Sequence, residues 1–173
     1  MYGCEVIMHV RLTMPSELDE VMGIYAHARE FMAAHGNPRQ WGVTNWPPRD
    51  LIARDIRDGK SHVCVTDDQR IAAVFFYDYG KDVEPCYEVI RDGAWIDDGP
   101  YGVVHRIASA GIVHGAGTAC LNWAFEQSGH MRIDTHPDNV VFQRLLRKLG
   151  FCQCGIIHVE EDDDPRLAFE KIS

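Results

Sequence analysis

The chain has 173 residues, 46% of them apolar and 25% charged, which is typical of one globular domain covering residues 1–173. Its formal net charge of −9 argues against nucleic acid as the main ligand, because a phosphate backbone binds clustered positive charge. No uncharged apolar run approaches the roughly 20 residues of a membrane-spanning helix, and the N-terminal residues lack the basic start of a secretory signal. These features predict a cytoplasmic protein that binds neither nucleic acid nor a membrane.

Hydrophobic periodicity and turn residues divide the chain into strands and helices. In chain order, the first half predicts a strand (5–13), a helix from an N-cap at Ser16 to a stop at Gly36, a helix (about 48–57) and two strands joined by a short turn (62–66 and 71–79). After an irregular segment (80–100), the second half predicts a strand (101–109), a helix (118–128), a strand (131–135), a helix (139–149) and two strands (151–159 and 167–172). Alternating strands and helices favour parallel pairing, whereas hairpins favour antiparallel pairing. We therefore expect an α/β fold with a mixed sheet of about six to seven strands and helices on both faces.

The loop between the fourth strand and the third helix contains three glycines, Gly111, Gly115 and Gly117. Glycines allow successive backbone N–H groups to converge on one point, and the start of a helix adds partial positive charge. The loop therefore suits a phosphate or diphosphate, with His114 and the hydroxyl of Thr118 as further candidate donors. It is neither a nucleotide P-loop, since no Gly-Lys-Ser/Thr follows, nor a dinucleotide fingerprint, since the third glycine is absent. A turn without any ligand is the alternative.

This loop, together with the strand after it, Asn139 and the run Arg147-Lys148-Leu149-Gly150-Phe151, resembles the GCN5-related N-acetyltransferase (GNAT) family. The resemblance is strongest from Tyr101 to Phe151 and extends by element order over nearly the whole chain. It implies the acyl-CoA N-acyltransferase fold, acetyl-CoA as co-substrate without a metal, and transfer of the acetyl group to a primary amine of a small molecule or peptide. The loop would bind the diphosphate of acetyl-CoA, and the strand before it would pair with the pantetheine arm. The implied cofactor-binding residues are Ile107, Ser109, His114, Gly115, Ala116, Gly117, Thr118 and Asn139.

Two positions depart from the family pattern. Ile112 stands where the family's loop often begins with Gln or Arg, so more of the phosphate binding falls to backbone amides and His114. Leu146 stands where many members place a tyrosine that protonates the leaving thiolate, so another acid or solvent has to serve. The missing tyrosine leaves a second interpretation open, a coenzyme A-binding module that is catalytically weak or inactive.

The implied reaction, direct attack of an amine on a thioester, needs a base, because an ammonium group with a pKa of about 10 has to lose a proton first. The candidate catalytic residues are His105, Asp134 and His136, and Glu84 and Glu88 are further candidate bases from the irregular segment. His105 lies on the cofactor-binding strand, in phase with Ile107 and Ser109. His136 ends the neighbouring strand, where parallel sheets usually place ligands. These side chains also suit structural roles, as partners of nearby backbone groups or in a turn before a helix.

Other residues leave their roles open. A metal-dependent hydrolase that uses His105, Asp134 and His136 is a third interpretation, although none of them has the local spacing of a metal motif. The six cysteines contain one close pair, Cys152 and Cys154, without a second pair to complete a zinc site, and we expect reduced thiols. Four aromatic residues are interpreted either as the border of an acceptor pocket or as satellite core: Trp41, Trp46, Trp95 and Tyr101. The resemblance also implies exposed sheet edges that pair into a homodimer.

Overall fold

A computed structural model describes residues 7–173 of the chain. Its strands are β1 (Met8–Leu12), β2 (Ser61–Thr66), β3 (Ile71–Gly80), β4 (Tyr101–Ser109), β5 (His130–Thr135), β6 (Cys152–His158) and β7 (Pro165–Ile172). Its helices are α1 (Leu18–Ala34), α2 (Arg49–Arg57), α3 (Ala116–Ser128) and α4 (Val140–Lys148). The first two residues of the predicted opening strand, and Cys4, lie outside the described residues. Within residues 7–173, no helix is long and apolar enough to cross a membrane.

The seven strands form one mixed sheet in the order β1-β2-β3-β4-β5-β7-β6, which confirms the predicted α/β fold. Parallel pairing is limited to β4 and β5, and every other neighbouring pair is antiparallel. The prediction of parallel strands in the second half therefore holds for this pair alone. The reason is that β7 lies between β5 and β6, so those two strands are never neighbours.

Helices cover both faces of the sheet, as the sequence predicts. On β2, Val63 and Val65 point into a core with α1 and α2, whereas Cys64 between them points into the core with α3 and α4. Alternate residues of a strand face opposite sides of its sheet, so a strand that is buried throughout serves two cores at once.

Helices α1 and α4 begin in different ways. Ser16 lies inside a short 3-10 turn, Pro15–Glu17, so its predicted role as N-cap is wrong. Glu17 stands at the N-cap position of α1 without a side-chain cap, and its carboxylate instead accepts the backbone N–H of Met14 at 2.8 Å and pairs with the Arg11 guanidinium at 2.7 Å. Before α4, by contrast, the Asn139 side chain accepts the N–H of Phe142 at 3.2 Å, an ordinary N-cap.

The irregular segment between β3 and β4 is held to the sheet by a fully buried carboxylate. Glu170 on β7 accepts hydrogen bonds from His130 Nε2 (2.6 Å) and Arg132 Nε (3.1 Å) on β5, and from the backbone N–H of Ile96 in the segment. The Arg132 guanidinium also lies 4.5 Å from the centre of the Trp95 ring. These contacts hold the segment against strands β5 and β7. The same segment places Glu84 in the site described next.

Candidate active site

Strands β4 and β5 separate along their length and open a cleft in the sheet. They pair only at Gly102 with Met131 and at Val103 with Arg132. From Val104 onward β4 keeps its ladder with β3 alone, so its other edge faces the cleft. The cleft has a volume of about 400 Å³. A free strand edge beside it can hydrogen-bond an extended ligand as an additional strand would.

A bulge interrupts β4 in the wall of this cleft. His105 pairs with Phe76 and Ala108 pairs with Val74, so Arg106 and Ile107 together face one residue of β3. Arg106 has a φ of 52°, which is rare for a residue with a side chain and costs about 1 kcal/mol or more. Its guanidinium binds the Asp55 carboxylate of α2 at 2.7 Å, and this buried ion pair holds the bulge in place.

The glycine turn at the end of β4 presents free backbone amides. Gly115, at a φ of 85°, precedes α3, and the first helical hydrogen bond runs from the Ala119 N–H to the Gly115 carbonyl at 2.9 Å. The N–H groups of Ala116, Gly117 and Thr118 therefore have no acceptor within the helix. Together with the helix dipole, they can bind an anionic group such as a diphosphate.

Helix α4 forms the opposite wall beside the turn. Val141, Phe142 and Leu145 line the cleft there, and a Cβ added at Gly117 would lie 3.3 Å from the Leu145 side chain. The absence of a side chain at Gly117 thus keeps the gap between α3 and α4 open. Asn139 lines the cleft as well, and its Nδ2 donates to Gln40 Oε1 at 3.0 Å. This end of the cleft combines free amides with apolar walls, which fits the diphosphate and pantetheine of acetyl-CoA.

The predicted cofactor-binding residues fall into two groups. Four of them line the cleft: Ile107, Ser109, Gly117 and Asn139. The other four form the turn beside it without lining it: His114, Gly115, Ala116 and Thr118. The His114 side chain is exposed, and the Ser109 hydroxyl accepts the N–H of Gly111 at 3.1 Å.

Two of the predicted catalytic residues meet in the middle of the cleft. His105 Nε2 lies 2.6 Å from Glu84 Oε2, and its Nδ1 lies 3.9 Å from Asp134 Oδ2. The Tyr87 hydroxyl donates to the same Asp134 oxygen at 2.8 Å. Burial is the largest single effect and raises the pKa of Glu84, but the hydrogen bond and electrostatic attraction from His105, together with hydrogen bonding from Cys86, outweigh it, and the pKa lies below its ordinary value. Burial, and then the charge of Asp134, raise the pKa of Tyr87 well above its usual value.

His136, the third predicted catalytic residue, is buried and does not line the cleft. Its Nδ1 accepts the N–H of Asp138 at 3.0 Å, so its Nε2 carries the proton that binds Asp164 Oδ2 at 3.0 Å. Hydrogen bonds from Arg39 and His136 hold the pKa of Asp164 well below its usual range. Both ring nitrogens of His136 are therefore engaged, Nδ1 with the turn before α4 and Nε2 with the loop between β6 and β7. A catalytic role for His136 stays a prediction that these contacts do not favour.

The comparisons with known proteins agree with this geometry. No protein-family model matches the sequence, and no curated protein does. Among solved structures, a GNAT-family acetyltransferase from Streptococcus agalactiae is 32% identical, with a TM-score of 0.85 over 96% of this chain and 95% of that chain. The chain belongs to the GNAT family of acetyltransferases. Two more distant structures share the fold. One is a GNAT-family acetyltransferase from Listeria monocytogenes (14% identical, TM-score 0.70, 99% of this chain and 98% of that chain), and the other is Salmonella typhimurium YncA, solved with its cofactor acetyl-CoA (13%, 0.60, 96% and 94%).

The position of Leu146 in the structure bears on its departure from the GNAT pattern. Leu146 is fully buried in the core beneath α4, and the residues of that helix that face the cleft are Val141, Phe142 and Leu145. An acid at position 146 would therefore point into the core of this protein and not at a bound thioester.

Sequence reasoning missed several residues of the GNAT site. The apolar wall of α4 left a signal in the sequence, the apolar pair Val140 and Val141 directly after Asn139, and the structure shows both side chains exposed. Tyr87 and Asp55 left none, because each acts on a residue about 50 positions away in sequence. Of the four aromatic residues predicted to border an acceptor pocket, Trp41 and Trp46 line the cleft, whereas Trp95 and Tyr101 pack around Arg132.

The third interpretation, a metal-dependent hydrolase, requires ligands that converge. Within residues 7–173, no group of three or more His, Cys, Asp or Glu side chains could hold a metal ion. His136 faces Asp164, whereas His105 faces Glu84, so the three side chains named for such a site do not meet.

Proposed function

We propose that this GNAT protein transfers an acetyl group from acetyl-CoA to a primary amine of a small molecule or peptide, by direct attack while both substrates are bound. The 173 residues would act as a single catalytic domain, in the cytoplasm and without a metal. One observation carries the proposal. A single cleft joins free helix amides and apolar walls at one end to the pair His105–Glu84 in its middle.

The cofactor end supports the choice of acetyl-CoA. The free amides at Ala116–Thr118 suit the diphosphate, and the open edge of β4 suits the amide groups of the pantetheine arm. The YncA structure, which shares the fold, contains acetyl-CoA. When bound, acetyl-CoA supplies the acetyl group, and its thiol leaves as the new amide bond forms.

His105 is the proposed base. Its Nε2 donates to Glu84, which fixes the ring and leaves Nδ1 to accept the proton of the incoming ammonium group. Asp134, 3.9 Å from Nδ1, lies where it stabilises the charged ring that results. The Tyr87 hydroxyl holds Asp134 in that position at 2.8 Å. Glu88, the other candidate from the irregular segment, is exposed and does not line the cleft.

Cys86 supports direct attack over a covalent acetyl-enzyme. It is the cysteine that lines the cleft among the described residues, and burial together with the charge of Glu84 raises the pKa of its thiol to about 11. At neutral pH only about one thiol in 10⁴ is then a thiolate, the form that attacks a thioester. We expect Cys86→Ser to keep kcat within about threefold of the parent value, with Cys152→Ser, outside the cleft, as the control. A loss of 100-fold or more on Cys86→Ser, with burst kinetics in the parent, would indicate an acetyl-cysteine intermediate.

A coenzyme A-binding module without turnover is the second candidate function, and the missing acid at Leu146 favours it. The two functions differ in one measurement. Acetyl-CoA binding by calorimetry, followed by thiol release with a panel of primary amines, separates them. Binding with thiol release supports the enzyme, whereas tight binding without thiol release on any amine supports the module.

Gly117 tests the cofactor end directly. We expect Gly117→Val to weaken acetyl-CoA binding by about tenfold or more, because the added side chain enters the gap between α3 and Leu145 and covers the free amides. Gly23→Val is the matched control, since Gly23 lies on the exposed side of α1 with no atom within 4 Å of an added Cβ. If Gly117→Val folds like the control and binds acetyl-CoA like the parent, the assignment of this end is wrong.

A further inference from the structure

The two ends of the cleft can be told apart along β4. His105 lies in the middle of the strand and Ser109 at its end, about 13 Å further along, where the glycine turn begins. Glu84 is bound to His105, so the segment that carries Glu84 and Cys86 closes the end opposite to the turn. The loop after β6 reaches the same end, because Val159 at its start packs against the same small core as Cys86, and Val159 and Glu161 both line the cleft. We call this the acceptor end.

Carboxylates dominate the acceptor end. Glu84, Asp134 and Glu161 all line the cleft, and the ring of His105 lies between the first two. Even when His105 is protonated, negative charge remains in excess. Among the described residues, Glu161 makes neither an ion pair nor a hydrogen bond through its carboxylate, and it is exposed at the mouth of the cleft.

Two arginines line the cleft as well, but both are already paired. The Arg166 guanidinium binds both Asp162 oxygens, at 2.6 and 3.1 Å, and donates to the backbone carbonyl of Asp164. Arg106 binds Asp55 at 2.7 Å and lies over the Phe76 ring. Neither guanidinium is left to neutralise an acidic group of a substrate.

The charges at the acceptor end disfavour acceptors with an acidic group and favour acceptors with a second ammonium group. A carboxylate or phosphate on the acceptor would have to give up its hydration beside other carboxylates without gaining a partner cation. A second ammonium group would instead meet Glu161 at the mouth while the first amine reaches His105. Both the place of Glu161 at the mouth and the excess of carboxylates therefore favour an acceptor with two amino groups.

We propose that the acceptor is a diamine or polyamine that carries no acidic group, with its second ammonium group bound by Glu161. This inference rests on the acetyl transfer proposed above and names the substrate class of the same cleft. The second ammonium group takes no part in the bond changes. One unprotonated amine forms the amide, the thiol of coenzyme A leaves, and the distal ammonium group keeps its proton throughout.

Three probes of equal chain length test the substrate class: 1,5-diaminopentane, pentylamine and 5-aminopentanoate. They share a primary amine and differ only in the far group, which is cationic, neutral or anionic. We expect kcat/KM from thiol release to be about tenfold higher for the diamine than for pentylamine, and lowest for 5-aminopentanoate. If 5-aminopentanoate reacts as well as pentylamine or better, the inference is wrong.

A matched pair of variants tests the role of Glu161. Glu161→Gln should lower the preference for the diamine over pentylamine by about threefold, whereas Glu160→Gln, which removes the same charge outside the cleft lining, should leave it unchanged. An unchanged preference in Glu161→Gln overturns the assignment. Transfer to monoamines or amino acids, but neither to 1,5-diaminopentane nor to a longer polyamine, overturns the substrate class alone. Bound acetyl-CoA without thiol release on any amine overturns the proposed function itself.

Discussion

Replacing His105 with alanine is expected to lower kcat by about 10²- to 10³-fold, the usual contribution of a positioned general base. The KM for acetyl-CoA should change little, because His105 lies away from the amides that receive the diphosphate. Steady-state kinetics with varied acetyl-CoA and a fixed amine measures both constants. The parent and the variant should also differ in the pH dependence of kcat, since the variant lacks the group that accepts the proton.

Two glutamates of the same segment extend this experiment, Glu84 as the partner of His105 and Glu88 as the control. Glu84→Gln keeps a hydrogen-bond acceptor beside His105 but removes the charge, so kcat should fall by about tenfold. Glu88→Gln, four residues away and exposed, should leave kcat at the parent value. An unchanged kcat in His105→Ala, measured with a folded variant, would show that the base is another group or solvent.

The second large effect concerns stability. Glu170→Ala is expected to lower the free energy of unfolding by about 3–5 kcal/mol, because it leaves the buried Arg132 guanidinium without its counter-charge and His130 Nε2 without its hydrogen-bond partner. Urea denaturation followed by tryptophan fluorescence measures the difference. The irregular segment should also become more open to proteolysis, since Ile96 loses its acceptor.

Two further variants show whether the charge or the packing is responsible. Glu126→Ala, on the exposed face of α3, should change the free energy of unfolding by no more than about 0.5 kcal/mol. Glu170→Gln keeps the shape of the side chain and one acceptor oxygen, so its cost should fall between the other two. A value for Glu170→Ala within about 1 kcal/mol of the parent would contradict the account of this cluster.

The sequence predicts the strand and helix bounds well wherever periodicity is regular and glycines mark the ends. Strand β4 agrees residue for residue, from Tyr101 to Ser109, and the glycine turn after it leads into α3 as expected. The order of the strands within the sheet is not predicted as well. The sequence order of β5, β6 and β7 does not reveal that β7 enters between the other two, because short connections allow either arrangement.

The candidate site was predictable in part. His105 and Asp134 could be named because both lie on strands that the alternation pattern identifies. Sequence could not choose between Glu84 and Glu88, since only the 3-10 turn at Pro85–Tyr87 places one of them against His105. Asp55, which holds the bulge at Arg106, is 51 residues from its partner and reads as an ordinary polar position of α2.

The insertion of β7 between β5 and β6 also bears on how the protein assembles during translation. Strand β5 has only a two-residue contact with β4, so its main hydrogen-bonding partner is a strand made about 30 residues later. Until residues 165–172 have left the ribosome, β5 and β6 have no shared neighbour, and the wall of the cleft that carries Asp134 cannot become fixed. Strands β1 to β4 can therefore pair while the chain is still being made. The other half of the sheet forms later, through contacts distant in sequence.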